Sequence, residues 1–335
     1  MAELRWGLPF PGGEIAAEAE RAGAEAFCVG EFANRDAYVS LTQAVTQTET
    51  ARVGTGVAYA FTRSPWTHAA SIRQLANASS PDRIFLGLGA GTRSMNTDWF
   101  GTEFQPVLSR MEELIQATRA FLTAENMKTV RFEGQHYQIK AAIRAPVMGP
   151  LDVPILIGAF NRGMLGVAGR VADGVIGHGL FTDRYWDECV NPRLEASARA
   201  AGRDPDALAR WGWLITAIDD DDPKRAATDA RRMIAFYLTV KTYDALVELH
   251  GWEEPVDAIR TAFRKGDTDT MAEAVTDEML DAIAIHGTLE EAGQRVAARS
   301  SLPDLCFSSA PSFLVSDRRR GHYARGSISL FGRSD

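Results

Sequence analysis

The residues best placed to do chemistry in this chain stand at the ends of short apolar runs. Val53-Gly54-Thr55-Gly56-Val57-Ala58-Tyr59 and Ile84-Phe85-Leu86-Gly87-Leu88-Gly89-Ala90-Gly91-Thr92 both read as strands that finish near glycine and hand over to a helix. A strand end without side chains lets a flat ligand lie against main chain. Gly158-Ala159-Phe160-Asn161-Arg162-Gly163-Met164 is a glycine-containing turn that opens into a helix. The first N–H groups of such a helix have no acceptor within it and can hold a phosphate. Each run alone is also an ordinary turn; together they outline a pocket for a flat ring and a phosphate.

Among the ionisable groups, Glu31 in the loop Gly30-Glu31-Phe32-Ala33-Asn34-Arg35-Asp36 reads either as a ligand contact or as a cap or bridge to Arg35. His68 and His178 read as satisfied structural histidines ahead of acid–base groups. The chain has no His-Glu-x-x-His, no cysteine pair and no clustered carboxylate motif, so no metal centre is expected. Gly54-Thr55-Gly56 lacks the Gly-x-x-x-x-Gly-Lys spacing of a nucleotide loop, and a nucleophile elbow is missing. These absences leave chemistry carried by a bound redox cofactor, with the protein supplying position and electrostatics.

Strand patterns over 4–9, 26–29, 52–57, 84–88, 154–157, 174–176, 211–218 and 305–308 alternate with helical ones. Helix starts are marked by Asp36 as a cap, by Pro65 in a first turn and by the capping-box spacing of Thr288 and Glu291. Repeated βα units predict an α/β protein, a closed (β/α)8 TIM barrel, which avoids the edges of an open sheet. The chain is expected to be a single domain over 1–335, with a small hairpin inserted near 125–150 and a helical insertion near 219–286. In such a barrel the working residues follow the strands, which is where the glycines and Glu31 fall.

The net charge of −8 argues against a nucleic-acid partner. The dense basic run Arg318-Arg319-Arg320 is expected on a solvated helix near the end of the chain. Cys28, Cys189 and Cys306 have neither metal nor redox spacing and suggest reduced thiols. No signal-peptide pattern follows Met1, and no apolar run approaches the ~20 residues of a membrane span. A cytoplasmic protein acting on a small molecule, away from membranes, is expected.

Asn34-Arg35-Asp36-Ala37-Tyr38, Gly54-Thr55-Gly56-Val57 with Thr62-Arg63-Ser64-Pro65, Arg83-Ile84-Phe85-Leu86-Gly87-Leu88-Gly89-Ala90-Gly91 and Ala172-Asp173-Gly174-Val175-Ile176 resemble the bacterial luciferase-like superfamily. Within it the likeness is to the deazaflavin-dependent branch typified by methylenetetrahydromethanopterin reductase. It covers most of residues 4–220, the helix from Thr288 and the strand at Leu305. The resemblance implies coenzyme F420 as cofactor, with FMN as the alternative, because the two share a tricyclic ring, a ribityl chain and a phosphate. It implies a bulge in the third strand with a non-prolyl cis peptide at Gly56-Val57 backing the ring. Ala90, Gly91 and Thr92 would line the ring or its side chain, Asn96 the polar tail, and Gly158, Ala159, Asn161, Gly163 and Met164 the phosphate. Asp173 would pair beneath the barrel, and the protein would be a homodimer.

Two departures narrow this. Many relatives carry Asp-His where this chain has Glu31-Phe32, and Arg-His-Pro where it has Arg63-Ser64-Pro65. The histidine used by the sugar-phosphate and alcohol dehydrogenases of the branch is therefore absent. The expected activity is a coenzyme F420-dependent hydride transfer between the deazaflavin C5 and a small organic substrate. Glu31 would be the catalytic residue that orients or protonates, and Phe32, Tyr59, Trp66, Trp99 and His178 would line the substrate pocket. The alternatives are an FMN-dependent monooxygenase using reduced flavin and oxygen, and a non-catalytic flavin- or deazaflavin-binding barrel.

Overall fold

The computed structural model describes residues 4–333. The apolar runs form strands β1 (Arg5–Pro9), β2 (Ala26–Gly30), β3 (Arg52–Tyr59), β4 (Ile84–Gly89), β5 (Thr129–Glu133), β6 (Gln138–Ala142), β7 (Ile155–Gly158), β8 (Gly174–Gly177), β9 (Ala209–Ile218), β10 (Ile285–Gly287) and β11 (Leu305–Ser309). The parallel order β1-β2-β3-β4-β7-β8-β9-β11 closes on itself, β11 pairing back to β1. This is the predicted eight-stranded barrel. β10 extends the sheet along the C-terminal part of β9, Ile285 opposite Thr216; three residues in a helical region carry too little periodicity to be read as a strand from sequence.

Side chains alternate along a strand, so residues two apart fill the barrel. Ala26 and Cys28, Leu305 and Phe307 meet Phe85, Leu156, Ile176 and Trp211 in one buried cluster, and Trp213 packs on it. The opposite faces bury Val53, Leu86, Leu88 and Ile157 against Leu41, Ile72, Met111 and Leu165 of the surrounding helices. Each such aliphatic side chain contributes about 1.5–3 kcal/mol on leaving water. The helix starts follow the sequence: Asp36 accepts from Val39 N at 3.0 Å, Pro65 opens the helix Pro65–Ala78, and Thr288 and Glu291 form a reciprocal capping box.

β5 and β6 make the expected antiparallel hairpin. Glu113, on the helix Val107–Leu122, ties its turn down by accepting from Gln135 N at 2.8 Å and His136 N at 2.7 Å. Asp173 accepts from Arg119 at 2.8 Å and from Ile155 N at 2.7 Å, a structural bracket at the start of β7. The region after β9 holds the helices Pro223–Leu238, Asp244–His250, Glu253–Arg264, Thr268–Glu273 and Asp277–Ile283. Among the described residues no helix is long and apolar enough to cross a membrane.

The basic run at 318–320 is not simply solvated. On the helix Asp317–Phe331, Arg319 Nε donates to the fully buried Asp229 at 2.9 Å and Nη2 to Asp219 at 3.2 Å; Tyr323 OH donates to Asp229 at 2.8 Å. A 3.6-residue repeat puts one member of a consecutive triplet on the inner face, and here that member locks the helix to the insertion.

Candidate active site

β3 carries one residue more than its neighbours. Val29 pairs with Thr55 but Gly30 with Val57, and Gly54 opposite Phe85 gives way to Ala58 opposite Leu88. This bulge turns the Val57 side chain toward β4 and β7. A Cβ at Gly158 would lie 2.8 Å from Val57 Cγ2, and one at Gly89 would overlap Val57 Cγ1. A Cβ at Gly56 would overlap the Trp213 ring. The cis peptide expected at Gly56-Val57 is not formed: among the described residues the cis bond is Gln105-Pro106. The extra residue is absorbed by the register shift, with Gly56 skipped in the pairing to both neighbours.

Glu31 does not bridge to Arg35. Its Oε2 accepts from Tyr59 N at 2.7 Å and Arg63 Nη1 at 2.9 Å, while Arg63 Nη2 bonds both Glu31 Oε1 and Asp36 Oδ2. Arg63 also lies 5.1 Å over the Tyr38 ring, whose hydroxyl donates to His68 Nδ1. His68 Nε2 completes the chain by donating to Ala60 O at 3.0 Å. Burial holds His68 neutral, pushing it down to about 4, and raises Tyr38 well above the usual phenol value. His68 is structural, as read.

Aromatic rings form the rim on this side. Phe32 meets Trp99 at 5.9 Å edge-on, Trp99 meets Phe100 at 6.5 Å, and Phe100 meets Tyr59 at 5.0 Å between centroids. Trp66 lies in the first turn of the helix Pro65–Ala78 and stands exposed without a ring partner among the described residues. Asn96 is buried, and its amide donates to Ala90 O at 2.8 Å and Thr92 O at 2.9 Å. It braces the loop in which Gly91 takes a positive φ of 69°.

Across the barrel, Asn161 precedes the helix Arg162–Val171 without capping it; its Nδ2 reaches Thr242 O at 3.2 Å instead. Leu165 N is the first to find an intrahelical acceptor, Asn161 O. Among the described residues the N–H groups of 162–164 thus find no acceptor, close in sequence to Gly158 and Ala159, an arrangement suited to an anion.

His178 follows β8. Its Nδ1 accepts from Leu180 N at 3.2 Å, which places the proton of the neutral ring on Nε2. Burial pushes its pKa down to about 3. Tyr237 and Tyr243 of the insertion pack against it at 4.5 and 4.6 Å, and Tyr243 meets Phe160 at 4.7 Å. Helical spacing alone assigns these tyrosines equally to a core or to a subunit contact; in the structure both pack, partly buried, against the main core cluster. Trp213 was legible in principle: it lies two residues from Trp211 on β9 and so shares its inward face.

The profile of the family described as Luciferase-like monooxygenase matches residues 12–304. In sequence the chain is 32% identical over 271 residues to a 5,10-methylenetetrahydromethanopterin reductase of Methanolobus tindarius, covering 79% of this chain and 78% of that one. Its fold matches the coenzyme F420-dependent tetrahydromethanopterin reductase of Methanopyrus kandleri with a TM-score of 0.77 at 23% identity, over 98% of this chain and 100% of that one. It also matches the oxygenating constituent of 3,6-diketocamphane monooxygenase from Pseudomonas putida, a complex with FMN, with a TM-score of 0.65 at 14% identity over 98% of both chains. The closed barrel, the bulged third strand and these likenesses agree: the chain belongs to the luciferase-like monooxygenase family.

Proposed function

We propose that this protein is a coenzyme F420-dependent oxidoreductase that moves a hydride between the deazaflavin and a small organic substrate. The observation that carries the reading is the 32% identity to a methylenetetrahydromethanopterin reductase across 79% of the chain. Two features support the reading: Val57 occupies the space that side chains at Gly89 and Gly158 would fill, and among the described residues the N–H groups of 162–164 have no acceptor and could receive a phosphate. Gly56, Val57, Ala90, Gly91 and Thr92 would hold the ring, with Asn96 shaping their loop. When bound, the deazaflavin supplies a two-electron hydride donor or acceptor at C5.

The chain's own residues position and shield. Both oxygens of Glu31 are engaged by Arg63 and Tyr59 N–H, so Glu31 is a positioning residue that fixes the end of β3. Phe32, Tyr59, Trp66 and Trp99 supply apolar walls that exclude water. FMN is the competing ligand, since an FMN-bound monooxygenase shares the fold. A homodimer acting in the cytoplasm accompanies this reading.

Native mass spectrometry of the purified protein with equimolar coenzyme F420 and FMN tests it. One coenzyme F420 per chain is expected; retention of FMN alone would transfer the assignment to the monooxygenases.

A further inference from the structure

Inward side chains fill a barrel in layers, and in this one the layer nearest the mouth holds a single large ring. One level down, Trp211 of β9 is buried, its ring edge-on to Phe85 at 4.9 Å. Trp213 stands two residues further along β9, on the same inward face but nearer the C-terminal strand ends, and is half-buried. The positions facing its indole are glycines. A Cβ at Gly30 would lie 4.0 Å from Trp213 Cη2 and one at Gly179 3.7 Å from Trp213 Cβ; one at Gly56 would overlap Cζ2 and stand 3.2 Å from Cη2.

β9 and β3 lie four strands apart in either direction round the closed sheet. The indole therefore crosses the lumen, and its far edge meets the opposite wall at Gly56, the residue skipped in the pairing of β3 to both neighbours. A residue that the ladder passes over has little in the sheet to fix its position, whereas contact with a close-packed ring does fix it. Val57, the next residue, is held from the other side, its Cγ atoms standing where Cβ atoms at Gly89 and Gly158 would be.

We propose that Trp213 is a positioning residue for the bound cofactor: from across the barrel it props the β3 bulge at Gly56, and so sets where Val57 stands at the mouth. Its consequence for the cofactor rests on the oxidoreductase reading above; the prop itself does not. Phenylalanine at 213 would keep an aromatic ring on β9, beside Phe307 at 6.1 Å, but would lack the benzo edge through which the indole meets Gly56. Phenylalanine at 211 would trim a ring of the layer below, away from the bulge. A ring that only fills the core predicts similar behaviour for the two substitutions; a prop predicts that they differ.

The test has two arms on the full-length protein. In the cofactor-free protein, hydrogen–deuterium exchange of residues 56–59 should quicken at least about fivefold in Trp213→Phe and stay within about twofold of the parent in Trp211→Phe. Gly56→Ala, which drives a methyl group into the indole, should quicken the same amides, and supplies this readout should Trp213→Phe fail to fold. In absorbance titration with coenzyme F420, Trp213→Phe and Gly56→Ala should each bind about fivefold more weakly or worse, Trp211→Phe within about twofold of the parent, and Gly56→Ala/Trp213→Phe more tightly than Gly56→Ala alone, because the shorter ring makes room for the methyl. Exchange at 56–59 that responds equally to Trp213→Phe and Trp211→Phe, or strict additivity of Gly56→Ala and Trp213→Phe, would overturn the proposal. Failure of coenzyme F420 to bind the parent would instead overturn the cofactor reading, and the exchange arm would still decide whether Trp213 is the prop.

Discussion

Arg63 Nη1 lies 2.9 Å from Glu31 Oε2, and the pair is nearly sealed, with 16% and 7% of the two side chains exposed. Glu31 leaves β2 and Arg63 follows β3, so the ion pair straps two successive strand ends together just where β3 bulges. The same carboxylate accepts from Tyr59 N at 2.7 Å. A residue that reads from sequence as a candidate acid is therefore a strut. Glu31→Gln leaves Arg63 short of a counter-charge in a half-closed site and should cost about 2–3 kcal/mol, measured by urea unfolding. Arg63→Lys should cost nearly as much, because an ammonium cannot reproduce the fork that spans Glu31 and Asp36. Loss below about 0.5 kcal/mol in both variants would contradict the strut.

Val57 and Gly89 are complementary: the side chain of one fills the place of the other's missing Cβ. Gly89→Ala should overpack this contact, lowering stability by about 1–3 kcal/mol and weakening cofactor binding. Val57→Ala introduced into that variant should recover much of the loss, since touching residues couple in a double-mutant cycle. Strict additivity of the two substitutions would show that the contact does not exist.

The buried histidines give the protein an acid limit. His68 and His178 are held down to about 4 and about 3 by burial, below the unfolded value of about 6.5. The unfolded chain therefore binds their protons first. Their contribution to stability is complete above about pH 6.5 and is lost as the pH falls toward 4. The melting temperature should be flat near pH 7–8 and drop on acidification, with a shallower drop in His68→Gln. A slope unchanged by that substitution would remove His68 from the account.

On the helix Asp317–Phe331 the three adjacent arginines should behave unequally. Arg319 faces the fully buried Asp229, whereas Arg318 is exposed. Arg319→Met should destabilise by about 3 kcal/mol, because it leaves Asp229 with fewer partners, and Arg318→Met should fall within about 0.5 kcal/mol of the parent. Chemical denaturation separates the two.

What was legible in the sequence is what short-range pattern encodes. Short apolar runs followed by helical patterns located the barrel strands, and Asp36, Pro65 and Thr288 marked helix starts that the structure keeps. Gly89 and Gly158 close β4 and β7 as read, and no larger residue fits there beside Val57; Gly56 instead lies inside β3, which runs on to Tyr59, against the Trp213 ring. The peptide geometry at Gly56-Val57 came out otherwise, because the bulge is accommodated by a register shift. Partners distant in sequence were not legible. Glu31 and Arg63 are 32 residues apart, and nothing local distinguishes Arg63 from Arg35 as the partner. Tyr237 and Tyr243 meet His178 only because the insertion folds back over β8, a tertiary placement that their amphipathic spacing does not specify.

The cofactor is the central claim, and absorbance titration against coenzyme F420 and FMN separately tests it most directly. Saturable perturbation of the deazaflavin spectrum at one equivalent per chain, with FMN at least about tenfold weaker, is the predicted result. Tight stoichiometric FMN binding with an unperturbed deazaflavin spectrum would contradict it.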